Sequence, residues 1–201
     1  DVISALQNIE KAKNIMLTII PNENSPAFIE FLNAYSTICV NCNKWEMAID
    51  NYKKILSFCQ SHKEQNGTKN TVYVSALQNI SQCYIQTAEI DKATLYAQEA
   101  VDIMRKLSQG DDINLAASLG FLSNCYIQQG YYEKALKLAT EQKEMTTRLF
   151  GEKDYRISGT LLNIGQIKCL MGNPQEGLTY LEKSVAIADV STSRNINPLV
   201  R

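Results

Sequence analysis

Cys39-x-x-Cys42 is the only CxxC in this 201-residue chain, and that spacing can hold a zinc ion or form a redox pair. A structural zinc needs four ligands, and no second CxxC supplies the other two. His62 is the only histidine and sits in a polar stretch. A redox thiol is activated at a helix N-terminus. Cys39 instead falls near the end of a helical pattern, where the helix dipole disfavours a thiolate. Ser–His or Cys–His catalysis has a single candidate base, and Ser61-His62-Lys63-Glu64 offers nothing to orient it. No phosphate loop of the G-x-x-x-x-G-K-[ST] type occurs. The expectation is therefore a chain that is not an enzyme and takes no metal or cofactor. Cys59, Cys83, Cys125 and Cys169 have no cysteine near them in sequence, which argues against a disulfide framework and for a reducing, cytoplasmic compartment.

Two of those cysteines open a repeat. Cys83-Tyr84-Ile85-Gln86 returns as Cys125-Tyr126-Ile127-Gln128, 42 residues later. At the same offset Leu77 matches Leu119, Ser81 matches Ser123, Lys92 matches Lys134, Ala93 matches Ala135 and Ala97 matches Ala139. A fixed period of this length signals stacked supersecondary units. Anchored on Ala93 and Ala135, the frame runs forward 42 residues to Gly177 and back 45 to Ala48. The three extra residues fit in the polar segment Gln60–Asn70. Ala5, Ile9, Ala12 and Ile15 match only the second half of a unit.

Within a unit the apolar residues follow helical spacing. Leu119, Leu122, Tyr126 and Ile127 lie on one face, Gly130 breaks the pattern, and Tyr132, Ala135, Leu136 and Ala139 begin a second helix. Each unit reads as helix, short turn, helix, and nothing reads as a strand. The expected fold class is all-α, a right-handed superhelical solenoid of antiparallel helix pairs. The expected boundaries are a truncated first unit at 1–20, repeats at 26–60, 72–108, 113–150 and 155–188, and a non-periodic tail at 189–201. Ala93, Ala97 and Ala100 should permit close helix approach. Cys83 and Cys125 read as small core residues, and Tyr84 and Tyr126 as larger fillers. Gly165, Gly172 and Gly177 read as packing and turn glycines. Asp111-Asp112 should favour the positive end of a helix starting near Ile113. Pro21 and Pro26 should bracket a linker.

The bulk numbers agree with a folded, water-exposed array. The chain is 45% apolar and 20% charged, with a net charge of −1. Such a balance gives no basic face for nucleic acid. No apolar run is long enough to span a bilayer. Asp1 opens in mid-pattern without an initiator Met, so the chain reads as a piece of a longer protein.

The pattern resembles the tetratricopeptide repeat, whose template is W-x2-L-G-x2-Y…A-x3-F…P. The third full unit reads Leu119-x2-Leu122-Ser123-x2-Tyr126, then Gly130-x-Tyr132-x2-Ala135-x3-Ala139. The first supplies Trp45-x2-Ala48-x3-Tyr52. The longer period is similar to the kinesin-light-chain type, as is Leu149-Phe150-Gly151-Glu152-Lys153-Asp154-Tyr155-Arg156-Ile157 leading into Leu161-Leu162-Asn163-Ile164-Gly165. That type has His-Pro where this chain has Asp154-Tyr155. The resemblance covers residues 1–188. It implies a protein-interaction module of a scaffold or adaptor, in the cytoplasm and with a cytoskeletal association.

In tetratricopeptide arrays the first helix of each pair lines a concave groove. Carried onto this frame, the resemblance nominates Asn33, Thr37, Asn41, Gln78, Asn79, Gln82, Gln86, Phe121, Asn124, Gln128, Asn163 and Gln166 as peptide-binding residues. Most are amides, which offer a donor and an acceptor to an extended backbone. Phe121 would add a side-chain pocket. No Lys or Arg occupies these positions, which argues against the clamp that other such repeats use for acidic chaperone C-termini. The expected partner is a protein or peptide segment, without nucleic acid or membrane insertion. Self-association through the truncated first unit is carried beside it. Two alternatives stay open: a peptide-sensing array of a bacterial-type regulator, and a regulatory array appended to an enzyme.

Overall fold

The computed structural model describes residues 2–19, 25–61 and 68–195. Among the described residues the chain is all-α: α1 (Val2–Ile19), α2 (Pro26–Asn41), α3 (Trp45–Ser61), α4 (Thr68–Gln86), α5 (Ile90–Leu107), α6 (Ile113–Gln128), α7 (Tyr132–Phe150), α8 (Arg156–Leu170) and α9 (Pro174–Asn195). They form two compact units, Asp1–Ala100 and Val101–Arg201. His62 and Pro21 lie outside the described residues, as does the end of the expected tail. Two boundaries differ from expectation. α4 begins at Thr68, inside the segment read as a polar loop, and α9 continues to Asn195 through the first half of the expected tail. Ser and Thr are only mildly unfavourable in a helix, so a helix already nucleated and packed extends through Ser191-Thr192-Ser193.

One turn is used four times. After α2, the N–H of Cys42 bonds Ile38 O, that of Asn43 bonds Val40 O, and that of Lys44 bonds Cys39 O. The last is the 6→1 bond of a Schellman-type helix end. Glu89 N–H to Tyr84 O, Tyr131 N–H to Tyr126 O and Asn173 N–H to Lys168 O repeat it at 2.9 Å each. The middle residue must be left-handed, and it is: Asn43, Ala88, Gly130 and Gly172 have φ of 56°, 61°, 77° and 84°. The third turn residue then starts the next helix, its carbonyl accepting from Ala48, Ala93, Ala135 or Gly177. The anchors found in the sequence are thus the first residues bonded back into each second helix.

Other helix ends follow their local chemistry. Ser25 caps α2 through its hydroxyl, which accepts from Phe28 N–H at 3.2 Å, and Pro26 stands where no N–H is needed. Asp112 caps α6, accepting from Asn114 N–H and Leu115 N–H. Asp111, expected to share that role, instead makes a two-point ion pair with Arg148 of α7 at 2.7 and 2.8 Å.

Leu32 and Leu77 in the first unit, and Leu119 and Leu161 in the second, hold the same repeat position. All four are buried, at 1%, 0%, 0% and 5% exposure. Each contributes roughly 1.5–3 kcal/mol of hydrophobic stabilisation. In the first unit α2 packs on α3 and α3 on α4. Tyr84 stacks on Tyr96 with centroids 5.6 Å apart, and Tyr35 ties α2 to α1 by donating to Glu10 at 2.8 Å. In the second unit α6 packs on α7, α7 on α8 and α8 on α9, around Ile127, Ala135, Ala139, Ile164 and Ile167. The buried Ser123 hydroxyl donates to Ala135 O at 2.9 Å, stitching α6 to α7. The equivalent pair in α8 and α9 is Gly165 and Gly177, where the backbones come closer. A Cβ on Gly165 would lie 2.9 Å from Gly177 O, and one on Gly177 would lie 2.8 Å from Gly165 O.

Candidate functional site

Four of the six thiols are placed as packing, Cys42 is half-buried and Cys169 is exposed. Cys39, Cys59, Cys83 and Cys125 are buried, and all six cysteines are free. Burial pushes the Cys83 thiol up to about 11, and burial followed by the nearness of Cys42 raises that of Cys39. A neutral thiol is favoured at both, the reverse of what redox or metal chemistry needs. Among the described residues no group of three or more His, Cys, Asp or Glu side chains could hold a metal ion. Within Cys83-Tyr84-Ile85-Gln86 the first two side chains are buried and Gln86 is exposed. In the second copy Cys125 is buried, Tyr126 half-buried and Gln128 exposed.

In the first unit α2 presents Asn33, Thr37 and Asn41, all exposed and spaced i, i+4, i+8 along one face. Thr37 is already engaged. Its hydroxyl donates to Asn33 O at 3.0 Å, and burial raises the nearby Tyr52 phenol, with the Thr37 side chain partly offsetting that rise. On α4, Gln86 is exposed, and Asn79 and Gln82 are half-buried. Gln78 departs from expectation. At 9% exposure it is buried and belongs to no open face. In the repeat register Gln78 and the small, buried Ala100 correspond to Gly120 and Gln142. The second unit reverses the pairing: Gly120 faces Gln142, whose amide would lie within about 3 Å of a Cβ at 120.

In the second unit α6 carries half-buried Phe121 and Asn124 with exposed Gln128. α8 carries half-buried Asn163 and exposed Gln166. α6 and α8 also touch directly, which brings their faces side by side. The repeat register also puts Leu162 and Leu170 on the α8 face, at the positions of Asn33 and Asn41, and they are 50% and 46% exposed. The nominated residues carry no charge, but the exposed Glu30 shares the α2 face with Asn33 and Thr37, and the exposed Arg156 opens the α8 face. Amides offer hydrogen bonds to an extended backbone, and Phe121, Leu162 and Leu170 offer apolar contact.

No protein-family model matches the chain, and no curated protein matches it. Solved structures do share its fold. The TPR-like repeats of a putative kinesin light chain from Podospora anserina superpose with a TM-score of 0.74 at 14% identity, over 96% of this chain and 89% of that one. Apo RapI gives 0.79 at 18% identity, over 96% of this chain and 66% of its own. The Rap conjugation gene regulator of plasmid pLS20, solved with the Phr* peptide, gives 0.74 at 17%, over 95% of this chain and 50% of that one. The chain therefore spans just under two thirds of RapI and half of the pLS20 regulator. At these identities the likeness is one of fold. Four turns closed by one hydrogen-bond pattern, one buried leucine position per pair and these superpositions agree: the chain has the tetratricopeptide-like helical-repeat fold, of the kind seen in kinesin-light-chain-like repeats.

Proposed function

We propose that this chain is a protein-interaction scaffold that binds extended segments of a partner on the first-helix faces of its repeats, those of α2 and α4 in the first unit and those of α6 and α8 in the second. The carrying observation is the amide-rich character of those faces: Asn33 and Asn41 on α2, Gln82 and Gln86 on α4, Asn124 and Gln128 on α6, Asn163 and Gln166 on α8. Amides pair with a peptide backbone whatever its side chains, and the half-buried Phe121 would select one apolar side chain. Gln78, being buried, has no part in it.

A panel of displayed peptides tests the reading. Changing Asn79, Gln82, Asn124 and Asn163 together to Ala should weaken the selected peptides at least tenfold, with far-UV helicity unchanged. Undiminished binding by the folded variant refutes the amide faces as the site.

A second reading is a peptide-responsive regulator. It is favoured by the fold shared with the pLS20 regulator solved with the Phr* peptide. Under it, short free peptides should bind as tightly as longer segments and shift the hydrogen-exchange protection of helices away from the contact. Self-association through α1, whose Ile15 and Ile19 are exposed, is a further proposal. It predicts a sedimentation coefficient that rises with concentration and falls back for Ile15→Glu. Among the described residues no helix is long and apolar enough to cross a membrane.

A further inference from the structure

The second helices of neighbouring pairs are bridged at one repeat position from α3 to α5 and from α5 to α7, and the bridge is not repeated from α7 to α9. Gln60, Arg105 and Thr147 are equivalent, each 12 residues beyond its anchor, and Glu99, Glu141 and Lys183 are equivalent, each 6 beyond. In the first unit Gln60 of α3 donates to the Tyr73 hydroxyl at 2.9 Å, and Tyr73 donates to Glu99 of α5 at 2.8 Å. In the second unit Arg105 of α5 grips both oxygens of Glu141 of α7 at 3.1 and 2.9 Å. The step from α7 to α9 has Thr147 and Lys183 instead. Thr147 is too short to span the gap, and Lys183 has replaced the carboxylate. Ile157 stands where Tyr73 put a ring.

What remains is a cleft of about 340 Å³. Its floor is apolar, from Ile157 and Leu161 of α8, both buried. Its walls carry Tyr180, Lys183 and, from α7, Lys143 and Thr147; Glu152 stands at the rim. The Thr147 Oγ1 is buried without a hydrogen-bond partner. Neither Lys143 nor Lys183 is ion-paired among the described residues. A buried hydroxyl left unpaired costs about 1–3 kcal/mol, so a bound acceptor is favoured there. In the two bridged steps the acceptor at this level is a glutamate.

We propose that this cleft is a binding site for a carboxylate carried on a short apolar group. The carboxylate takes the place that Glu99 and Glu141 fill elsewhere, accepting from the Thr147 hydroxyl and the two ammonium groups. The apolar group covers Ile157 and Leu161. The volume lies at the low end for ligand pockets, which suits one amino-acid-sized group. The site lies on the side of α8 away from Asn163 and Gln166, so it does not depend on the amide faces.

Titration followed by NMR decides it. N-acetyl-leucine should give saturable shifts at Thr147, Tyr180 and Lys183, and N-acetyl-leucinamide should bind at least tenfold more weakly. Lys183→Glu restores the acidic residue of the other steps and should lose at least tenfold. Thr147→Val should lose several-fold. Lys183 is exposed, so its substitution leaves the fold intact. An acetylated tripeptide acid ending in Leu distinguishes the sources. Tighter binding than N-acetyl-leucine assigns the site to a partner's chain end; equal or weaker binding assigns it to free acids. Equal binding of acid and amide, wild-type affinity in Lys183→Glu, or no shift up to about 10 mM ligand overturns the proposal.

Discussion

Consider Ala88→Gly, a substitution that places a new glycine between two helices. Ala88 has φ of 61°, in the left-handed region. For a residue with a Cβ that conformation costs about 1–2 kcal/mol. Glycine removes the cost but brings a more flexible unfolded chain, worth about 0.4–1 kcal/mol in the other direction. The balance is a gain of about 0.5–1 kcal/mol. In a chain of this size that is a rise in midpoint of about 1–4 °C. The reciprocal changes share the mechanism. Gly130 and Gly172 have the same turn geometry, and a Cβ at either meets nothing within 4 Å. Gly130→Ala and Gly172→Ala should therefore lose about as much as Ala88→Gly gains, with no steric part to the loss. Asn43→Gly should change little, because Asn tolerates this region. Urea unfolding followed by circular dichroism measures all four. A fall for Ala88→Gly, of the size seen for glycine in a helix interior, would show that residue 88 belongs to the helix and not to a left-handed turn. No change in any of the four would refute the account of the turn.

The other predictions concern packing, ion pairing and pH. Gly177→Ala should destabilise by about 1–3 kcal/mol, because its Cβ would press on Gly165 O and Cys169 Sγ, while Ala135→Gly at the equivalent anchor should cost less than a clash. A double-mutant cycle of Arg105→Met and Glu141→Gln should return a coupling of only about 0.2–1 kcal/mol, since both side chains are at least a third exposed, and it should shrink in high salt. The Cys83 thiol is raised to about 11 by burial, so the fold favours its neutral form. That contribution is fully present below the ordinary thiol range and lost as pH rises towards 11; Cys83→Ala should flatten the alkaline fall in urea midpoint. Asp111 is held below the usual carboxylate range by its hydrogen bond with Arg148. Its contribution is present above that range and lost on acidification, so Asp111→Asn should lower the midpoint at neutral pH and narrow the gap to wild type in acid.

Much of the fold was legible because it depends on positions that repeat. Ala48, Ala93, Ala135 and Gly177 are small and evenly spaced, and a small residue is what a close helix crossing requires. The left-handed turn position was only half legible. Gly130 and Gly172 announce it, but Asn43 and Ala88 hold the same geometry with side chains that do not. The hydrogen bonds from Lys44 and Glu89 impose the turn whatever residue precedes them. Gln78 was misread for a different reason. Its side chain has the chemistry of the face, and its burial is set by what packs around it, which the pattern of one helix does not show. The cleft beside Thr147 was invisible for the same reason. No single residue marks it, only the loss of a pair that two other steps possess.

Scaffold and function therefore separate along the register. Positions that keep their character from pair to pair, such as the four buried leucines, set the spacing of the helices and leave little room for a partner. Positions that change character carry what distinguishes one repeat from the next. The α8–α9 pair departs most. It has glycines at the close contact where α6 and α7 have Ser123 and Ala135, exposed leucines where α2 shows asparagines, and Lys183 where two other steps hold glutamate. The closer approach of α8 to α9 follows from Gly165 and Gly177, and the open cleft towards α7 follows from Thr147 of α7 and Lys183 of α9. A search for the partner should begin with variants of this pair, because changes in the regular repeats alter the spacing that every face shares.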